Sequence, residues 1–303
     1  MQEKTFSNAI AASEQRSIGL TARVSTPLNS AIHGITSAAR QHWPEYLMEM
    51  GGMMIFIVTT CSLGALLFYP TAPVAQAIHD ATLRRIAFGA AIAFTVMAFI
   101  YSPWGQQSGA HLNPSITITF LRLKKISLWD SCCYVLAQTL GVVLGITLVR
   151  ALLGINIAQT AVSYLVTLPQ TEGFFHAFLK EVWMAALLMT VVLYLTNHPD
   201  FFKYGGIAVG LLGGFFASSA MPMFNPLHAN AGAKNLWSGG SIYLTAPLLG
   251  MLIAAELYLI WKGDGGVYCA KINHDNHKRC IFNCKFGELL DQSQSSSGIQ
   301  HQT

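Results

Sequence analysis

Ser108-Gly109-Ala110-His111-Leu112-Asn113-Pro114-Ser115-Ile116-Thr117 lies between two long apolar runs and reads as the start of a buried helix. Asn is a favoured N-cap, and Pro suits the first helical position because its missing N–H would be unpaired there anyway. Gly109 and Ala110 let the incoming backbone pass close to its neighbours. A second pair, Asn225-Pro226, stands at the corresponding place in the second half of the chain. The helix after Asn113 is short, because Arg122, Lys124 and Lys125 end the apolar run. About ten residues at 1.5 Å each reach roughly 15 Å, half of a hydrocarbon core of about 30 Å.

Around these two stretches the composition is that of a membrane protein. The 303 residues are 52% hydrophobic and 11% charged, with a mean hydropathy of +0.44. Soluble domains carry about 25% charged residues. A net charge of +4, spread along the chain, gives no case for nucleic acid. There is no Gly-rich phosphate loop and no nucleophile beside a base, so nothing points to an enzyme. Cys61, Cys132 and Cys133 fall in apolar runs and read as buried small hydrophobes.

Windows of about 20 apolar residues mark spans. They cover about 46–69, 86–101 and 128–153, then 175–195, 204–221 and 241–261. Each half reads span, span, short interrupted segment, span. The expected fold is therefore an all-α membrane protein of six transmembrane helices and two re-entrant half-helices. Three spans per half make the repeats, about 44–153 and 174–262, inverted in the bilayer. Residues 1–43 read as a polar tail or weak amphipathic helix, and 263–303 as a second tail with a Ser- and Gln-rich end. Of the 18 Lys and Arg, 13 fall on the side of the two termini, which places both in the cytoplasm. A multi-pass protein of the cell (inner or plasma) membrane follows.

Two helix N-termini meeting near the midplane would turn their positive ends toward one lumen and repel cations. Asn113 and Asn225 would donate hydrogen bonds to a passing neutral molecule, with Pro114 and Pro226 fixing each helix start. Glu49 and Glu181 are carboxylates inside spans, where charge is costly and usually faces the protein interior. Each is placed to accept hydrogen bonds from loop N–H groups. Glu256, near Lys262, reads as a side chain snorkelling to the interface.

Ser108 to Pro114, followed by Ser-Ile-Thr, resembles the first Asn-Pro-Ala loop of the major intrinsic proteins, the aquaporin and aquaglyceroporin family. Glu49, Glu181, Tyr134, Gln138, Pro247 and Gly250 lie where that family places its supporting residues. The resemblance covers about residues 45–262. It implies a passive channel for water or small neutral solutes, without cofactor, and a homotetramer with one pore per subunit. It also makes His111 a packed loop residue.

The departures from the family pattern bear on selectivity. Ser115 and Leu227 replace the alanines of the two motifs, and His228 stands where the family has a pore-lining arginine. Histidine is shorter than arginine and titrates near pH ~6.5. Counting back from each Asn places Ala93 and Gly213 in the filter, with Phe94 or Gly214 as the neighbouring choices. Small side chains at both places imply a wide, arginine-less constriction that suits a polyol, urea, a metalloid acid, ammonia or peroxide. An ion-coupled transporter or a non-conducting metal-sensing membrane protein are the rival readings.

The second tail carries Cys269, His274, His277, Cys280 and Cys284 within 16 residues. Cys and His in sets of four are the ligands of Zn²⁺. The spacing suits Zn²⁺ or another soft metal but matches no standard finger, and a reduced basic segment is the plainer reading.

Overall fold

The computed structural model describes residues 2–154, 174–220, 234–263 and 265–291. Asn225, Pro226, Leu227 and His228 lie outside the described residues. Among those described, the chain is helical and has no strands. The order is α1 (Gln2–Phe68), α2 (Pro73–Ala77), α3 (Ala81–Tyr101), α4 (Pro103–Ser108), α5 (Pro114–Arg122), α6 (Leu128–Leu153), α7 (Phe174–Thr196), α8 (Gly205–Ala220) and α9 (Lys234–Lys262).

Residues up to and including Trp43 form a unit of their own. Its helix extends from Gln2, where the sequence suggested at most a weak helix, and ends at His42 (φ −123°, ψ 16°). Pro44 follows, and its ring lacks an N–H and crowds the preceding turn. The rest of α1, with α3, α6, α7 and α9, is long and apolar enough to cross a membrane. At 16 residues, α8 is shorter, and its chain runs on into undescribed residues. Large apolar side chains such as Leu136, Leu140, Leu257 and Ile260 stand exposed on these helices, as a lipid-facing surface requires.

Helix starts follow local chemistry. Asp80 accepts from the N–H groups of Thr82 (2.7 Å) and Leu83 (3.3 Å), so α3 begins at Ala81, before the expected Ile86. Ser102 caps α4 through Gly105 N–H (3.1 Å), and Ser127 caps α6 through Asp130 N–H (3.1 Å). Tyr46 then donates to Asp130 (2.6 Å), tying α1 to α6.

Glycine lets the helices touch. Gly141 of α6 lies against the carbonyl of Met50, the residue after Glu49, and Gly250 of α9 lies against that of Val182, the residue after Glu181. The two halves thus repeat one contact. Where α3 meets α8, Gly89 and Gly214 face each other: a Cβ on Gly89 would stand 2.5 Å from the Gly214 carbonyl oxygen. The core gathers around this framework, with Phe88, Phe120, Tyr134, Met189 and Met251 all fully buried.

Candidate pore and its cover

The first Asn-Pro pair forms a capped helix start. Asn113 is extended (φ −159°, ψ 125°), its Oδ1 accepts from Ser115 N–H (2.8 Å), and Pro114 opens α5. The loop leading into it is unusual. Gly109 (φ 93°), Ala110 (φ 56°) and Leu112 (φ 46°) are all left-handed. For a side chain with a Cβ that conformation costs about 1–2 kcal/mol, so something must hold the loop.

Glu49 holds it. Its Oε1 accepts from Ser108 Oγ (2.8 Å) and His111 N–H (3.0 Å), and its Oε2 from Leu112 N–H (2.9 Å) and Gln138 Nε2 (3.0 Å). Four donors surround one fully buried carboxylate. Tyr134 Oη adds a bond to Ser108 O (2.6 Å). Glu181 is half-buried on α7, and the loop of the second half lies outside the described residues.

His111 is packed. Its Nε2 lies 3.0 Å from Ala270 O, which can only accept, so that nitrogen carries a proton, and Nδ1 lies 3.1 Å from Thr117 Oγ1. The ring is stacked between Phe120 (5.2 Å) and Phe282 (5.3 Å). Both Ala270 and Phe282 belong to the second tail.

Beside Asn113 lies a cavity of about 180 Å³. Ile92, Val96 and Ile100 of α3, Val209, Gly213 and Ala217 of α8, and Leu188 of α7 wall it, and Ile272 of the tail closes into it. The wall is mainly apolar, with Phe56 among its side chains, and Asn113 and His111 are its polar residues.

A sequence profile of the major intrinsic proteins matches residues 36–258. The chain belongs to that family. AqpM, an aquaporin of Methanothermobacter marburgensis, is 31% identical over 187 residues, covering 57% of this chain and 75% of that protein. Aquaporin NIP6-1 of Arabidopsis thaliana is 34% identical over 194 residues, covering 60% of each. Glycerol uptake facilitator protein-like 6 of Lactiplantibacillus plantarum is 28% identical over 206 residues, covering 63% of this chain and 89% of that protein. The protein is an integral membrane channel for water or small solutes, and not an enzyme.

Gly213 faces the cavity, and nothing stands within 4 Å of where its Cβ would be. Ala93 does not line it: its Cβ packs where a Gly214 side chain would go, in the α3–α8 seam. Phe94 is 70% exposed on the outer face of α3, beside Trp104 and Ile55. Ile92, one residue earlier and about 100° around the helix, lines the cavity. Glu256 is not a lone snorkelling side chain: it pairs with Arg122 at the end of α5 (2.8 and 2.9 Å).

The tail is docked on the loop side of the channel. Ile272 N–H donates to Gly109 O (3.1 Å), and Asn283 donates from N–H to Lys125 O (2.9 Å) and from Nδ2 to Lys124 O (2.8 Å). Tyr268 N–H donates to Asn197 Oδ1 (2.6 Å). Glu45, fully buried one turn before Glu49, accepts from Gln107 (3.0 Å) and faces Arg279 at 3.9 Å. Sequence reasoning missed Glu45, Ile272, Phe282 and Asn283, because no local pattern marks a docking contact across 160 residues.

Cys269, His274, Cys280 and Cys284 bring their ligand atoms within 4.8 Å of one another. His277 stays exposed and is not one of the four. Cys269 Sγ lies 3.6 Å from Cys280 Sγ, and Cys284 Sγ 3.0 Å from His274 Nε2. Burial pushes the Cys269 thiol up, while hydrogen bonds from Cys269 and Cys280 hold Cys284 low. Burial opposes charge on His274, but bonding to Cys280 and Cys284 outweighs it and pushes its pKa up to about 9.

Proposed function

We propose that the protein is a passive channel for small neutral solutes of the polyol, urea, metalloid-acid, ammonia or peroxide type, with a filter that lacks arginine. The observation that carries this is Gly213, which leaves one wall of the cavity without a side chain. Ile92, on the neighbouring helix, gives the wall beside it a bulkier side chain. A mainly apolar wall with Asn113 and His111 as its polar residues favours a solute carrying both carbon and hydroxyl or amide groups, such as a polyol or urea. His228, in the place of the arginine, removes a fixed cation and adds a titrating one.

Lys and Arg placement supports cytoplasmic termini, and the family supports four copies with one pore each. Asn113 and Asn225, with Pro114 and Pro226, are the paired helix starts, and Glu49, Glu181 and His111 support the loops. Swelling of proteoliposomes against glycerol, urea and water tests the reading. Glycerol or urea flux well above protein-free vesicles is expected, changing in slope near pH ~6.5. Fast water flux with neither glycerol nor urea flux counts against it.

A further inference from the structure

Residues 265–285 contain no helix or strand that would bury their backbone. Yet Val267, Cys269, Ala270, Lys271 and Ile272 are all less than 5% exposed. So short a segment has too little core to fix itself and ordinarily needs a disulfide or a metal as a staple. The four Cys and His ligand atoms converge within it. A disulfide is not formed: all six cysteines are free. The 3.6 Å Cys269–Cys280 separation is instead close to the edge of a tetrahedron built on Zn–S bonds of about 2.3 Å, which is roughly 3.8 Å.

Charge and connectivity agree with this. Three thiolates and a neutral histidine around a divalent ion leave one net negative charge. Lys271 and Lys125 lie within electrostatic reach of Cys269 and Cys284. Lys271 is itself tied to the carbonyls of Lys278 (3.1 Å) and Arg279 (2.8 Å), closing the loop between ligands. Moreover, two of the segments that touch the channel are the spans between neighbouring ligands. Ala270 and Ile272, which meet His111 and Gly109, lie between Cys269 and His274. Phe282 and Asn283, which meet His111 and Lys124–Lys125, lie between Cys280 and Cys284.

We infer that Cys269, His274, Cys280 and Cys284 bind one Zn²⁺ per chain, and that this ion holds Ile272 in the channel mouth as a removable plug. The metal site stands on its own geometry; the plug rests on the channel reading given above. An aliphatic side chain in a narrow mouth blocks passage by excluding water. Without the ion the two contacting spans lose their common anchor, and the tail leaves the mouth.

Two measurements on the full-length purified protein test this. Elemental analysis should find one zinc per chain. Cobalt substitution should give the strong thiolate-to-metal absorption of a three-sulfur site, and Cys284→Ser should weaken metal binding by about 100-fold. In proteoliposomes, stripping zinc with a chelator should raise glycerol or urea flux; a pore closed about nine-tenths of the time gains up to about tenfold. Ile272→Ala should raise flux while keeping its zinc, so it answers even if Cys284→Ser fails to fold. Zinc-free protein that takes up no added Zn²⁺ or Co²⁺ overturns the metal site. Bound zinc with flux unmoved by chelation and by Ile272→Ala overturns the plug and leaves the channel standing. No flux in any sample overturns the channel reading, and the plug with it, while the zinc stoichiometry still judges the site.

Discussion

Glu45 and Glu49 sit one helical turn apart on α1, and both are fully buried. Glu49 accepts four hydrogen bonds, all from within the channel body. Glu45 accepts one from Gln107 and faces Arg279 of the tail at 3.9 Å, while its Oε2 finds no hydrogen bond among the described residues. A buried charge is tolerable when its hydrogen bonds are complete. By that measure Glu49 is fully satisfied within the channel body, whereas Glu45 is only half satisfied and borrows its nearest cation from the tail. One carboxylate builds the loop; its neighbour faces the docked tail.

The largest test of that contrast is Glu49→Ala. It strands the N–H groups of His111 and Leu112 beside a strained backbone, and should cost on the order of 4 kcal/mol. Melting of the detergent-solubilised protein should fall sharply, and flux should be lost for every solute. Glu45→Gln should shift stability by no more than about 1 kcal/mol, since the amide keeps an acceptor for Gln107. Limited proteolysis at the tail should nevertheless speed up. Arg279→Ala should do the same, and the double variant should add little to either, as expected for two groups sharing one interaction. Full additivity would separate Glu45 from the tail. The smallest effect belongs to Glu256→Gln: its pair with Arg122 is about half exposed, so the loss should stay below about 1 kcal/mol, fade in high salt and leave flux unchanged.

Much of the frame was legible in the chain. Spans showed because the bilayer demands length and apolarity, and the third was read at Leu128–Leu153, the bounds of α6. The Asn113 cap showed because it is written within three residues. That Ile92 rather than Ala93 meets the cavity beside Asn113 was less legible, since helical periodicity resolves a face more readily than one position on it. Glu45 and the docked tail were invisible for a different reason. Their partners are set by tertiary folding, and neither the Arg279 contact nor the Phe282 stack leaves a local periodic trace.

Gly89 and Gly214, backbone against backbone in the α3–α8 seam, have a consequence for how solutes are told apart. The joint holds only the small Ala93 and Ser218 side chains beside the two glycines, so there is little to turn and little to compress. The helices carrying Ile92 and Gly213 are therefore held at a nearly fixed spacing along the cavity. A passage so clamped would work as a gauge: a molecule fits or is refused at its own expense, because the protein has little slack to give.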